Sequence, residues 1–92
     1  MKLHQLKIES KYYEEVVKGN KPFELRKDDR GFEFGDLIQF IVNQDKIDNA
    51  YLVADDYYEI TYILRNVPEY GLSDGFCILG IKRVEVSKSG NH

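Results

Sequence analysis

Patterns of apolar and polar residues at the start of the chain predict a strand followed by a short helix. Residues 2–8, KLHQLKI, alternate in the manner of a strand that is buried on one face. Residues 11–18, KYYEEVVK, repeat tyrosine and valine one helical turn apart, which gives a helix an apolar face. Ser10 is the predicted N-cap of this helix, and Gly19 is predicted to end it in a left-handed conformation.

The rest of the chain is predicted to add strands separated by turns and loops. YYEITYIL, residues 57–64, is rich in the aromatic and β-branched residues that favour strands. The final strand is apolar on both faces through Ile81, so we expect it to be central and covered on both sides. Further strands are expected at residues 21–27, 37–42, 76–86 and, weakly, 51–53, with turns or loops at 27–31, 43–56 and 65–75.

The order strand, helix and then four or more strands predicts a mainly β protein of the α+β kind. Several strands that are apolar on both faces, in a chain of 92 residues, favour a sheet that curls on itself. We therefore expect a small closed or nearly closed β-barrel with one or two short helices, one of which plugs an end. Residues 1–86 are predicted to form this single domain, and residues 87–92 a mobile tail.

Composition indicates the class of protein and the cellular compartment in which such a domain is expected. Hydrophobic residues make up 42% and charged residues 32% of the chain, as is typical of a soluble globular protein. No apolar run approaches the ~18 residues of a membrane span, and the N-terminus lacks the apolar stretch of a secretory signal. Cys77 is the only cysteine and alternates with Leu79 and Ile81, so we expect a buried thiol, no intrachain disulfide and a cytoplasmic location.

The net charge of −3 conceals an uneven distribution along the chain. Residues 1–30 hold eight Lys or Arg and six Asp or Glu, whereas residues 31–81 hold two and nine. Residues 82–92 are basic again, with three against one, and pairing of the last strand near the first segment would join the two basic portions. The overall acidity argues against a protein that coats nucleic acid non-specifically, but it is compatible with a small basic cleft.

One stretch, GNKPFELRKDDR at residues 19–30, combines strand-like alternation with an unusual density of charges of both signs. Glu24 and Arg26 are two residues apart and share one face of the strand, while Phe23 and Leu25 take the other. Lys21 follows the corner after the helix, from which its ammonium group can project into a neighbouring cleft. These charges form either a solvated face of surface ion pairs or the lining of a site.

Other residues with possible chemistry give weaker signals. Two histidines and one cysteine show no zinc-ligand spacing, so no metal or other cofactor is expected, and an ion site made only of carboxylates is the one alternative that stays open. His4 is either a partly buried histidine bonded to backbone or part of a cleft wall. Most of the seven tyrosines are assigned to core or helix packing, and Tyr70, in the loop before the last strand, is the candidate for stacking on a base. Asp55 and Asp56 are predicted to lie in a solvated loop.

The charged stretch also carries a resemblance to a known family. GNKPFELR has the form G-x-K-x-x-E-x-R, and it is followed by GD at the next strand and by GFCILGI near the end. This combination resembles the ASCH domain, a branch of the PUA-like superfamily of small β-barrels. Residues 4–36 more narrowly resemble the short bacterial and phage-borne proteins of the DUF3850 family, and the likeness extends over residues 3–82.

The resemblance implies a PUA-like barrel with a cleft between the helix end and the following strand, in which RNA or a modified nucleotide binds. A carboxylate beside two cations stays ionised and can accept a hydrogen bond from a base amino group, while an arginine can bind phosphate or stack on a base. The implied binding residues, with the further candidates His4 and Tyr70 included, are Lys21, Glu24, Arg26, Arg30, Asp36, His4 and Tyr70.

Two other functions stay open at the level of sequence. One branch of the ASCH group hydrolyses acetylated cytidine with the motif lysine and a threonine three residues later. Lys21 matches that lysine, but Glu24 fills the threonine position, and a lysine beside a carboxylate is a poor base. We therefore expect binding rather than amidohydrolase activity. The other alternative is a phage or mobile-element accessory protein that binds another protein, which the acidic middle of the chain keeps open.

Overall fold

The computed structural model describes residues 1–44 and 50–85. Within these ranges the chain forms a mainly β domain with one α-helix, and a 3₁₀ turn at Pro68–Tyr70 interrupts the predicted loop before the last strand. The predicted tail and the acidic residues Asp45 and Asp48 lie outside the described residues. In chain order the elements are β1 (Leu3–Glu9), α1 (Ser10–Lys18), β2 (Phe23–Lys27), β3 (Leu37–Asn43), β4 (Tyr51–Val53), β5 (Tyr58–Leu64) and β6 (Phe76–Arg83).

The strands form one curled sheet in the order β1-β3-β5-β6-β2, with β4 paired to β3. β1 runs parallel to β3, and the other pairs are antiparallel. The sheet curls far enough for its two end strands to meet through side chains, because Arg26 of β2 donates a 2.8 Å hydrogen bond to the Lys7 carbonyl of β1. The fold is therefore a half-barrel of the mainly β class that the sequence predicts.

The core fills the inside of the half-barrel with alternate residues of each strand. Leu6 faces Phe40 across β1 and β3, and Ile60 faces Ile81 across β5 and β6, so the paired residues point to the same side. Cys77 is fully buried in this core, as predicted. The buried apolar residues of the strands are Leu6, Ile8, Ile38, Phe40, Val42, Tyr58, Ile60, Cys77, Leu79 and Ile81.

Helix α1 packs on β1 and β3 and differs from the prediction at its start. The N-cap position is Glu9 rather than Ser10, because β1 continues to Glu9 and Ser10 is already helical. The buried side of the helix is formed by Val16 together with Tyr13, which packs against the core. Gly19 ends the helix with φ at +84°, in the left-handed conformation that the sequence predicts.

Strand β6 lies at the centre of the sheet, between β5 and β2, but it is not covered on both sides. Cys77, Leu79 and Ile81 are buried, whereas Phe76 on the opposite face is 37% exposed and Ile78 is half-buried. The prediction of two covered faces is therefore wrong. Helix α1 packs on β1 and β3 rather than on β6. Among the residues that the structure describes, no element covers the outer face of β6.

Strand β2 shows the predicted alternation with its charged face turned inward. Glu24 is 5% exposed, while Phe23 and Leu25 are 43% and 54% exposed. The apolar residues thus lie on the outer surface beside Ile78 of β6, which pairs with Leu25. Because β2 ends the sheet, its inward face looks across a gap toward β1 rather than into a closed core.

Candidate functional site

The end strands β1 and β2 face each other across a cleft of about 680 Å³, which we call the main cleft. This volume lies in the range of about 300–1,000 Å³ that is usual for small-molecule sites. The main cleft is thus the gap that the half-barrel leaves between its two ends. Its lining residues are Lys7, Ile8, Glu9, Tyr12, Lys21, Phe23, Glu24, Leu25, Arg26, Asn43 and Tyr51.

A buried carboxylate between two cations forms the charged part of the main cleft. The Lys21 Nζ atom lies 2.7 Å from Glu24 Oε1, and Arg26 Nη1 lies 3.1 Å from Glu24 Oε2. The side chain of Glu24 is 7% exposed, and those of Lys21 and Arg26 are 18% and 23% exposed. Two cations compensate the cost of burying the carboxylate and hold it in one orientation. The structure thus brings together the three central residues of the predicted site.

The corner after α1 places Lys21 in this cluster. The backbone amides of Asn20 and Lys21 both donate to the Glu15 carbonyl, at 3.0 and 3.1 Å, so the chain reverses tightly around Gly19. The Lys21 ammonium also donates a 2.9 Å hydrogen bond to the Phe23 carbonyl. These backbone contacts fix the direction in which the Lys21 side chain leaves the corner.

Aromatic rings border the charged cluster and remain partly exposed. Tyr12, Phe23 and Tyr51 are 44%, 43% and 42% exposed. The Lys21 Nζ atom lies 5.1 Å from the centre of the Phe23 ring, and Lys7 Nζ lies 4.9 Å from that of Tyr51. Both distances permit cation–π attraction. The main cleft therefore combines flat apolar walls with fixed charges.

An additional hydrogen-bond acceptor lies at the end of β3. Asn43 lines the main cleft, and its Oδ1 atom is buried without a hydrogen-bond donor among the residues described. A buried acceptor in this condition calls for a donor, which a water molecule or a ligand can supply. Sequence analysis did not single out Asn43, because an asparagine at a strand end is common in turns and gives no local signal.

Arg30 follows β2 and does not line the main cleft, but its side chain contacts β1 across the same gap. Its Nη1 atom donates a 3.1 Å hydrogen bond to the Gln5 carbonyl of β1, two residues before the carbonyl that Arg26 contacts. Arg26 and Arg30 therefore form what we call the arginine seam, in which two side chains join the end strands. The seam places Arg30 against β1 outside the residues that line the main cleft, and its role in binding stays a prediction.

His4 and Asp36 pair with each other rather than with the cleft residues. His4 Nε2 lies 2.9 Å from Asp36 Oδ2, both side chains are buried, and the amides of Lys2 and Glu33 donate to the same carboxylate. Burial raises the pKa of Asp36, but these hydrogen bonds outweigh it and lower the pKa to about 2. The pair connects β1 to the turn before β3 and lies outside the set of residues that line the main cleft.

The tyrosines are arranged differently from the prediction. Packing accounts for Tyr13 and Tyr58, but Tyr12, Tyr51 and Tyr62 are 42–63% exposed, so core or helix packing is the wrong assignment for these three. Tyr70, the predicted stacking residue, is 85% exposed in the 3₁₀ turn and is not among the cleft-lining residues. No local pattern distinguishes Tyr51, because β4 is exposed along its length and its role depends on the strand it joins.

Two further carboxylates, each half-buried, accept hydrogen bonds from side chains distant in the sequence. Asp56 accepts hydrogen bonds of 2.8 Å from the hydroxyl groups of both Tyr13 and Tyr58, which corrects the prediction of a solvated loop at this position. Burial and the Asp56 carboxylate raise the pKa of Tyr13 to about 12. Asp28 accepts two hydrogen bonds from Arg65, at 2.5 and 3.1 Å. In the described part of the chain, no three His, Cys, Asp or Glu residues cluster in a way that could hold a metal ion.

Comparisons with known proteins match part of the chain in one case and most of it in another. In the described ranges, no helix has the length and apolarity that crossing a membrane requires. A 37-residue segment is 43% identical to an uncharacterized 12.9 kDa protein in the GpA 3′ region of Escherichia phage P2, covering 40% of this chain and 34% of the phage protein. The model of a domain of unknown function, DUF3850, matches residues 3–81. Since that match spans nearly all of the described domain, the chain belongs to the DUF3850 family.

Proposed function

We propose that this chain is a PUA-like domain of the ASCH type that binds RNA or a modified nucleotide in the main cleft. The observation that carries the proposal is the fixed carboxylate of Glu24, held between Lys21 and Arg26 in a cleft that partly exposed aromatic rings also line. Protein sites that take a nucleobase combine aromatic faces for stacking with a few polar groups that recognise the base edge.

Each part of the cleft has a counterpart in a nucleotide. The rings of Tyr12, Phe23 and Tyr51 offer faces on which a base can stack, a contact worth about 1–3 kcal/mol per base. Glu24 can accept a hydrogen bond from an exocyclic amino group, as acidic residues do with cytosine. The guanidinium group of Arg26 can add a phosphate oxygen to its present contacts, because it carries five N–H donors.

The contacts of Lys21 favour binding over hydrolysis. Its ammonium group donates to the Glu24 carboxylate at 2.7 Å and to the Phe23 carbonyl at 2.9 Å, so it is held by two directed hydrogen bonds. A lysine that serves as nucleophile or base needs an amine that is free to point at the substrate. We therefore propose that Lys21 contributes charge and orientation to the site rather than a reactive lone pair.

The proposal is tested by titrating the protein with short RNAs and nucleotides, unmodified and base-modified. Lys21→Ala and Arg26→Ala should weaken RNA binding, and each lost phosphate contact should reduce the salt slope of log K by about one. Glu24→Gln should weaken binding of the preferred base by about 1–3 kcal/mol and leave other bases nearly unchanged. Lys18→Ala is the matched control, because Lys18 is exposed on α1 outside the cleft lining.

Thermal unfolding of each variant separates a binding effect from a folding effect. Arg26→Lys serves as a second variant at its position, because it keeps the charge while it alters the seam. Cleft variants that bind as Lys18→Ala does, with melting temperatures equal to that of the unsubstituted protein, would contradict the proposal. The charges of β2 would then be a solvated face.

A further inference from the structure

A second depression adjoins the main cleft along β2, and we call it the side groove. It has a volume of about 320 Å³ and shares Leu25 and Arg26 with the main cleft. Toward the end of β2 it adds Lys27, Asp29, Arg30 and Phe76. The two depressions thus form one continuous path past the arginine seam. Glu24 and Lys27 are three positions apart on the strand, a distance of about 10 Å along the chain.

The side groove is strongly basic in a chain whose net charge is negative. Its lining holds three cations, Arg26, Lys27 and Arg30, against the one carboxylate of Asp29. Lys27 and Arg30 are exposed and form no ion pair with any carboxylate in the described residues. Positive charge in excess of the nearby carboxylates attracts an anion, and phosphate suits guanidinium groups.

The arginine seam orients this charge. Arg26 and Arg30 each use Nη1 for a β1 carbonyl, at 2.8 and 3.1 Å, so each guanidinium plane is anchored on one side. The remaining N–H groups of Arg30 make no hydrogen bond to any described residue. A phosphate at this place would bind donors that are already positioned, which lowers the entropy cost of forming the contact.

A flat apolar surface completes the side groove next to these cations. Phe76 pairs with Lys27 across β6 and β2, lies on the outer face of the sheet and is 37% exposed. Leu25, which is 54% exposed, connects the Phe76 ring with the main cleft. An aromatic ring exposed on a sheet surface beside basic residues is a platform on which a nucleic-acid base can stack.

From this continuity we infer that the ligand is a single-stranded oligonucleotide of at least two nucleotides rather than a free nucleotide. One base occupies the main cleft, the linking phosphate lies on Arg26 and Arg30, and the neighbouring base stacks on Phe76 beside Lys27. The inference rests on the proposed function and extends it, because a free nucleotide in the main cleft would leave the platform and two of the three groove cations unused.

The inference is tested with the four ribonucleoside monophosphates and the corresponding ribodinucleotides as probes. The unsubstituted protein should bind its best dinucleotide at least about tenfold more tightly than the matching monophosphate, the size expected for one added stacked base. Phe76→Leu and Lys27→Ala should each remove several-fold of dinucleotide affinity and leave monophosphate affinity unchanged. Both positions lie at the surface, and melting temperatures check that the fold is retained.

Matched controls come from the same outer face. Tyr62→Leu removes an exposed ring that lies outside the side groove, and Lys82→Ala removes a cation at the far end of β6. Neither control should alter binding of either probe. Equal effects from controls and groove variants would overturn the inference by showing non-specific contact with the sheet surface.

The test separates the failure of this inference from that of the proposed function. Monophosphate binding that depends on Lys21, with no gain from the second nucleotide, would overturn the side groove and leave the main cleft intact. Absence of binding to monophosphates and dinucleotides alike would overturn both. Dinucleotide binding that is sensitive to Phe76→Leu but insensitive to Lys21→Ala would contradict the proposed function and, with it, the shared path.

Discussion

Among individual side chains, the buried carboxylates are those that lie within hydrogen-bond distance of cations, a histidine or backbone amides. Glu24 has two cations, and Asp36 has His4 and two backbone amides. An isolated buried charge costs several kcal/mol, so a strand can turn a charged face inward only where such partners exist. Partners lie across the sheet or around a corner, which is why alternation along β2 reveals two faces without revealing which one is buried.

The first prediction concerns the pH dependence that Asp36 adds to stability. Its pKa falls from an ordinary 3.8 to about 2 on folding, so its contribution is complete above pH ~4 and is lost as pH falls through about 2. A shift of this size corresponds to roughly 2 kcal/mol. Urea unfolding between pH 2 and 5 should show this loss, and Asp36→Asn should flatten it.

Asp55→Asn is the control for that measurement, because Asp55 is exposed in the loop before β5. It should leave the pH dependence of unfolding unchanged. The same slope in Asp36→Asn and the unsubstituted protein would show that the hydrogen bonds of Asp36 do not stabilise its charged form.

The second prediction separates two neighbouring aspartates that look alike in the sequence. Asp28 accepts two hydrogen bonds from the half-buried Arg65, whereas Asp29 is exposed in the lining of the side groove. Asp28→Ala should lower the free energy of unfolding by about 1 kcal/mol, and Asp29→Ala should change it by less than about 0.5 kcal/mol. Chemical denaturation of the two variants provides the comparison, and equal values would mean that the Arg65 contact contributes no stability.

At the element scale, the strands and helix follow from local patterns, whereas the contacts between them do not. Hydrophobic periodicity locates β1, α1, β3, β5 and β6 within a few residues, and even the short β4 is predicted. In contrast, Asp56 meets Tyr13 across 43 positions of sequence, so no window along the chain contains both partners. The same limit applies to the main cleft, where Tyr12 and Tyr51 come together only because β4 extends the sheet beside β3.

The third prediction concerns the corner between α1 and β2. Gly19 has φ at +84°, and a Cβ atom added there would meet nothing within 4 Å, so backbone conformation alone sets the cost of substitution. Gly19→Val should destabilise the fold by more than about 1 kcal/mol, since a β-branched residue avoids positive φ. Gly19→Asn should cost less, because asparagine tolerates the left-handed region. Thermal unfolding distinguishes the two variants, and equal melting temperatures would remove the corner as the reason for the position of Lys21.

At the scale of the whole molecule, the half-barrel is closed by side chains instead of by a ladder of backbone hydrogen bonds. The arginine seam contacts the carbonyls of Gln5 and Lys7, and the main cleft is the part of the same gap that remains open. The curled fold was predicted from several strands that are apolar on both faces in a chain of 92 residues. The open gap was not, because closure depends on how far the ends of the sheet approach each other.

The fourth prediction tests whether the seam holds the ends of the sheet together. Arg30→Ala should speed amide hydrogen exchange in β1 and β2 and leave β5 and β6 unchanged, because local opening requires fewer contacts to break. Lys27→Ala is the control, since Lys27 is an exposed neighbour on β2 that makes no bond to β1 among the contacts described. If Arg30→Ala changed the exchange rates of all the strands equally, the seam would add nothing to closure.

The seam also covers part of a sheet edge to which a strand of another molecule could pair. The end strands of an open sheet present unpaired backbone groups that can pair with a strand from another molecule and begin aggregation. Arg26 and Arg30 occupy two carbonyls on the exposed side of β1 and place positive charge where an incoming strand would have to enter. Replacing both arginines would therefore remove a barrier to fibre-like association, so the two residues that the proposed ligand contacts also protect an edge of the sheet.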